Sequence, residues 1–228
     1  MCNFKESDLT DDQGIYHEDW APINREDYYY EYENCVDVNL IIDGKFDRLK
    51  ELHSKDCPLQ SELTGLMAQL GRLDMLQWAD QHDIPLVDYI MPLAATGGNL
   101  EMVQWLYSMG YKLESTAFAY AAGSGNVKLI DWMHNQPNHN NWNDYVAFSA
   151  FTWGAISGNP DMLQWLIDHD VPMSSKAFVY AACYGYLHIL EFLHKIKCPA
   201  DSSLYKQALM KKRPEIIQWC KDNGYDQL

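Results

Sequence analysis

A glycine returns at a fixed interval through most of this chain: Gly44, Gly71, Gly98, Gly125, Gly158 and Gly185. The steps are 27, 27, 27, 33 and 27 residues, and one more step of 27 reaches Lys212, where the surrounding pattern persists. Seven residues after each mark stands a large aromatic side chain, Trp78, Trp105, Trp132, Trp165, Phe192 and Trp219; the first unit has Glu51 instead. An internal period of this kind constrains the fold more than any other signal. It describes a stack of similar units, each packed only on its neighbours, and not one globule.

Each unit reads as two short helices. Residues 115–141 show the plan: Ser115 as N-cap, a first helix with Phe118, Ala121 and Ala122 inward, Gly125 as a left-handed stop, then Asn126 and a second helix. Asn34, Ser61, Asp88, Ser175 and Ser202 share the register of Ser115, and Phe151, Phe178 and Tyr205 share that of Phe118. Asn99 and Asn159 repeat Asn126. Pro160 and Pro214 fall where a first helical turn accepts proline, and Asp47, Asp74, Glu101, Asp161 and Glu215 favour the N-terminal end of the helix dipole. The second helix carries apolar residues at helical spacing and ends near Gly110, with Asp56, Asp83, Asp170 and Gly224 in register. Proline in the short tail beyond (Pro58, Pro85, Pro172, Pro199) stiffens the link to the next unit. Neither helix buries its apolar stripe alone, so the aromatic column is expected to be core, each ring worth roughly 2–3 kcal/mol when buried.

The fold class that follows is all-α: an α-solenoid of about seven stacked helix-turn-helix units. The array spans 34–228, behind an acidic, tyrosine-rich segment at 1–33. Its last unit, 202–228, carries Lys206, Gln207, Lys211, Lys212 and Arg213 where other units have apolar or small residues, as a polar C-terminal cap does.

The run Ala-Ala-x-x-Gly-Asn-Leu-x-Met-Val-x-Trp-Leu-x-x-x-Gly at 94–110, with variants at 67–83, 121–137, 155–170 and 181–197, resembles the ankyrin repeat. Two features depart from it. That repeat usually runs 33 residues and opens on Thr-Pro-Leu-His, whereas the matching stretches here read Tyr-Ile-Met-Pro (89–92), Thr-Ala-Phe-Ala (116–119) and Lys-Ala-Phe-Val (176–179). The six missing residues correspond to the projecting β-hairpin finger, so most fingers are expected to be trimmed. Trp-rich 27-residue units of this type are similar to the ankyrin proteins of large DNA viruses of protists, and of some algae and oomycetes. The resemblance implies a protein-interaction module and, within that reading, a viral protein acting on host components. Alternatives are a scaffold component of a larger particle and, thirdly, a substrate adaptor for ubiquitination, although 1–33 holds no F-box pattern.

Three places suggest themselves for a partner protein. The fourth unit alone keeps the full step, and its extra residues, around His139 and Trp142, either project as a loop or fold back on the next helix. Tyr120, Trp153 and Tyr180 occupy one register on consecutive first helices, with Tyr184 near the same rim. This row is either a peptide-binding strip on the concave face or inter-unit packing. The segment 1–33 holds ten acidic residues against Lys5 and Arg25, with Trp20 and four tyrosines at 28–32. It is either a cap on the first unit or a flexible interaction segment.

A formal charge of −15 opposes nucleic acid as partner, since phosphate binding needs clustered basic groups. No run of 18 apolar residues occurs, and the first residues lack a signal-peptide plan, so no membrane is expected and a cytoplasmic or nuclear place is. Six cysteines without a C-x-x-C pair read as free thiols. The eight histidines form no metal-ligand or catalytic spacing: His53, His134 and His194 share one register and His82 and His169 another, each several units apart. No enzyme, no cofactor and no metal are expected, and the chain is expected to be a monomer, with a homo-oligomer left open.

Overall fold

The computed structural model describes residues 36–54, 59–137 and 144–227. Over these the chain forms fourteen α-helices and a closing 3-10 turn, with no strand among the described residues. The helices fall into seven pairs: α1 (Val36–Ile42) and α2 (Phe46–His53); α3 (Glu62–Gln69) and α4 (Leu73–Gln81); α5 (Ile90–Thr96) and α6 (Leu100–Ser108); α7 (Ser115–Ser124) and α8 (Val127–His134); α9 (Asp144–Ile156) and α10 (Pro160–Asp168); α11 (Lys176–Tyr184) and α12 (Leu187–Lys195); α13 (Leu204–Met210) and α14 (Pro214–Asp222). The architecture is an ankyrin-type α-solenoid.

Every periodic glycine sits in the interhelix turn with φ between 67° and 87°, and Lys212 adopts the same conformation at φ 51°. That left-handed geometry reverses the chain in two residues, and a Cβ makes it costly by roughly 1–2 kcal/mol. A second left-handed column closes the second helices at Asp83, Gly110, Asp170, Lys197 and Gly224. Asn99, Asn126 and Asn159 cap the second helices: their side-chain oxygens accept from the backbone N–H of Met102, of Lys128 and Leu129, and of Asp161. Pro160 and Pro214 take the first helical turn.

The serine column does not cap. Ser115 is the first residue inside α7, Ser61 and Ser175 precede their helices in αR geometry, and none of the three accepts a cap bond. Asp88 and Ser202 lie two residues ahead of α5 and α13. Ser61 instead offers its carbonyl to the Thr64 hydroxyl at 2.5 Å, and Thr64 in turn accepts from the Val87 N–H of the next unit at 3.2 Å. At α13 the work passes to Asp201, whose Oδ1 accepts from the Ser203 N–H at 2.8 Å and hydroxyl at 2.6 Å. Those bonds hold the Asp201 carboxyl below its ordinary range, and Lys176 assists at 3.5 Å.

The core runs the length of the stack. Phe118, Phe151 and Phe178 are buried on the first helices, with the pairs Ala94–Ala95, Ala121–Ala122 and Ala181–Ala182 fully enclosed. Small side chains bring each first helix directly against the next. At Gly97 a Cβ would collide with the Gln69 backbone carbonyl of the preceding unit. The second helices approach one another less. Unequal spacing bends the stack, with the first helices on its inner side.

The aromatic column belongs to this outer wedge and not to the centre of the core. Trp78, Trp105, Trp132, Phe192 and Trp219 are only partly buried; Trp165 alone is enclosed. The fully buried positions of the second helices are one residue further and two or three earlier: Met102, Val103 and Leu106; Leu129, Ile130 and Met133; Met162, Leu163 and Leu166. The expectation that the tryptophans are core is therefore corrected. A 3.6-residue turn places the position after the mark by seven at the edge of the apolar stripe, where a wide ring spans the gap between splayed helices.

The linkers between units are short and carry no hairpin among the described residues, as trimmed fingers require. The capping role assigned to 1–33, and the loop holding His139 and Trp142, lie outside the described residues.

Candidate interaction surface

Adjacent units are stapled at their turns. The residue following each glycine mark reaches back to the turn of the preceding unit. Asn99, Asn126 and Asn159 donate their Nδ2 to the carbonyls of Gly71 (3.3 Å), Gly98 (2.7 Å) and Gly125 (2.9 Å). Arg72 does the same at the first junction, donating to the carbonyls of Ile41 (3.2 Å) and Ile42 (2.6 Å). Arg213 reaches the Cys183 carbonyl at 3.3 Å. At the one junction where this residue is Tyr186, its ring covers Gly158 and His188 supplies the bond, Nε2 to the Gly158 carbonyl at 2.8 Å. Each such residue thus satisfies a carbonyl of one unit while opening the helix of the next. These bonds tie the turn edge of the array together and hold adjacent units in register.

A second lattice of contacts joins the outer helices. The residue four places after the tryptophan donates to its carbonyl: His82 to Trp78, Gln136 to Trp132, His169 to Trp165, Asn223 to Trp219, all at 2.8–2.9 Å. A carbonyl only accepts, so Nδ1 of His82 and of His169 carries the proton. From the preceding unit a ring stands edge-on to each indole: His53 on Trp78, Tyr107 on Trp132, His134 on Trp165 and His194 on Trp219, with centroids 5.2–5.8 Å apart. His169 stacks on Trp165 at 3.8 Å, and Asp131 accepts from the Trp165 indole N–H at 3.1 Å. The two histidine registers, which look scattered along the chain, therefore meet across unit boundaries, His53 with His82 at 5.9 Å and His134 with His169 at 4.9 Å. Their roles here are packing and helix termination. Among the described residues no group of three or more His, Cys, Asp or Glu side chains is placed to hold a metal.

The inner face carries the aromatic row. Tyr120 on α7 and Tyr180 on α11 are half-buried, and Trp153 on α9 is 9% exposed. Tyr120 meets Trp153 edge to face at 5.5 Å, and Trp153 lies over Gly123, where a Cβ would come within 3.0 Å of the indole. Trp153 thus serves as the floor of the row, while the two tyrosines flank it. Tyr184 is 38% exposed and belongs to the turn edge, stacked on Tyr186 at 6.0 Å. It forms an aromatic group with Tyr186, which in turn meets His188 at 5.8 Å. The repeat pattern does not point to Tyr186 and His188, because the first fills a position that is asparagine, arginine or lysine elsewhere and the second one that is acidic or lysine.

Of the cysteines described, Cys198 and Cys220 are buried, and burial pushes their thiols up to about 12 and about 11. Burial also raises Cys183, against the lowering effect of Lys211 and Arg213. These are protonated packing groups, not nucleophiles.

Fold and site together define a helical repeat array built to present a surface. Residues 90–177 match the family model for ankyrin repeats (three copies). The helix pairs before and after it repeat the same left-handed turn, and Arg72, His188 and Arg213 reach back to the preceding unit as the asparagines do. No curated protein matches the chain. Ankyrin repeats generally serve protein–protein interaction and are typically non-enzymatic. Among the described residues no helix is long and apolar enough to cross a membrane.

Proposed function

We propose that the array binds a partner protein along the inner face of its first helices, through Tyr120 and Tyr180 over the floor made by Trp153, with the loop holding His139 and Trp142 as a flanking contact. The observation that carries this reading is the row itself. Three consecutive first helices place large aromatics at one register, where neighbouring units have Leu66 and Leu93, both buried. Half-exposed tyrosines held by packed neighbours lose little entropy on binding, and such rings often dominate interface energetics. The staples keep the spacing between them fixed, which is the preorganisation that recognition of an extended segment needs.

The test is capture of partners by the tagged full chain, against a Tyr120→Ser/Tyr180→Ser variant and a 137–142 deletion, with quantitative mass spectrometry. A partner retained by the wild type and lost from the tyrosine variant supports the reading. A partner retained equally by all three places the contact elsewhere.

A further inference from the structure

Charge is divided along the array. Residues 59–174 carry twelve acidic side chains and three basic ones, whereas residues 175–228 carry five acidic and eight basic. Four of the basic groups, Lys206, Lys211, Lys212 and Arg213, lie on and just after α13, and all are exposed. Beside them are two exposed aliphatic side chains, Leu209 at 47% and Met210 at 63% exposure. In the preceding unit the equivalent positions are Ala182, fully buried, and Cys183, half-buried, covered by α13 itself. Lys206, Leu209 and Met210 stand at i, i+3 and i+4 and so share one helix face. The expected polar cap at 202–228 is therefore only partly polar: a basic rim surrounds an apolar centre, the plan of an interface and not of a solvated face.

The same chain holds the complementary surface. Residues 1–33 bear ten acidic groups against two basic ones, interspersed with Trp20 and Tyr28, Tyr29, Tyr30 and Tyr32. This is the densest acidic stretch in the sequence, and it carries aromatic anchors as well as charge. Between that segment and α13 lie six helix-pair steps of about 9–10 Å each. Within one molecule, spanning that distance consumes about 16–18 extended residues, so Trp20, Tyr28, Tyr29, Tyr30 and Tyr32 and the acids beside them would fall short of α13. A second molecule has no such limit.

We propose that the Lys206–Arg213 face, with Leu209 and Met210 at its centre, docks the acidic, aromatic segment 1–33 of a second copy. The charges steer the encounter and set its salt dependence, while the exposed leucine and methionine receive the aromatic rings. When two copies exchange segments the contact is reciprocal and closes as a dimer; when they do not, it propagates head to tail. The face lies outside the Tyr120–Trp153–Tyr180 row, so this proposal and the proposed function stand or fall separately.

Sedimentation velocity of the full chain over a range of concentrations, at about 50 mM and about 500 mM salt, tests it. The expected result is reversible self-association at low salt that is lost at high salt. Lys206→Glu/Lys211→Glu should weaken it by about tenfold or more. Leu209→Ser/Met210→Ser should weaken it without changing its salt dependence, and excess synthetic 1–33 peptide should return the wild type to monomer. All of these side chains are exposed, so circular dichroism and thermal melting should be unchanged; Lys206→Ala/Lys211→Ala provides a milder pair should charge reversal disturb folding. A chain that stays monomeric at every concentration and low salt overturns the proposal, as does association indifferent to the lysine variants or to the peptide.

Discussion

Replacing Asn126 by alanine removes two things at once. Its Oδ1 accepts from Lys128 and Leu129 and opens α8; its Nδ2 donates to the Gly98 carbonyl of the preceding unit at 2.7 Å. Loss of an N-cap of this kind costs about 1 kcal/mol. Loss of the inter-unit bond, with a half-enclosed carbonyl left without its donor, adds about 1–2 kcal/mol. The sum, roughly 2–3 kcal/mol, corresponds to about 5–10 °C in Tm for a chain of this size. Urea denaturation followed by tryptophan fluorescence and far-ultraviolet dichroism measures it. Asn126→Asp separates the parts, since the carboxylate keeps the cap but cannot donate to Gly98. It should recover the cap and leave most of the staple's loss. A total below about 0.5 kcal/mol for Asn126→Ala, or an aspartate variant as stable as the wild type, would refute the idea that this side chain couples units.

Other consequences are as direct. Leu106→Ala, at a fully buried position, should cost about 3–4 kcal/mol and exceed Trp105→Ala, which removes a half-buried ring, at about 2; the reverse order in urea melts would return the tryptophan column to the core. Lys212→Gly should stabilise the array by about 1 kcal/mol, because φ 51° is strained for lysine and free for glycine; no gain in Tm counts against the turn geometry. Asp201 has its folded carboxyl lowered by the Ser203 bonds, so its contribution is present above the unfolded carboxylate range, near pH 4, and is lost as the pH falls through the folded value. Asp201→Ala should therefore melt below the wild type at neutral pH and converge with it in acid. Cys198, pushed up to about 12, should resist thiol reagents in the folded chain and react at once in denaturant.

What the sequence made legible was whatever depends on one unit at a time. The glycine turns, the asparagine caps and the helix-opening prolines are local chemistry repeated at a period, and each occupies its expected place. The serine column misled because Ser, Asp and Asn cluster at any chain reversal. Here Ser61 and Ser175 do stand at the N-cap position, but in αR geometry without a side-chain bond, Ser115 falls inside its helix, Asp88 and Ser202 fall one residue too early, and at α13 Asp201 accepts from the Ser203 N–H instead. Contacts that depend on how units stack were not legible. Asn126 and Gly98 are 28 residues apart, and so are Asn99 and Gly71, but nothing in either unit says that one side chain reaches the other's carbonyl. The histidine–tryptophan meetings arise in the same way, from two registers that touch only once the stack is built. For the candidate site, the register of Tyr120, Trp153 and Tyr180 was readable, whereas the division of labour among them, with Trp153 below and the tyrosines beside it, required the packing over Gly123.

The proposed binding surface is the inner face of the first helices. Hydrogen–deuterium exchange of the full chain, with and without a captured partner, tests it most directly. Added protection is expected on α7, α9 and α11 around Tyr120, Trp153 and Tyr180, with α8, α10 and α12 unchanged. Protection confined to the second helices, along the Trp132–Trp165–Phe192 face, would contradict it.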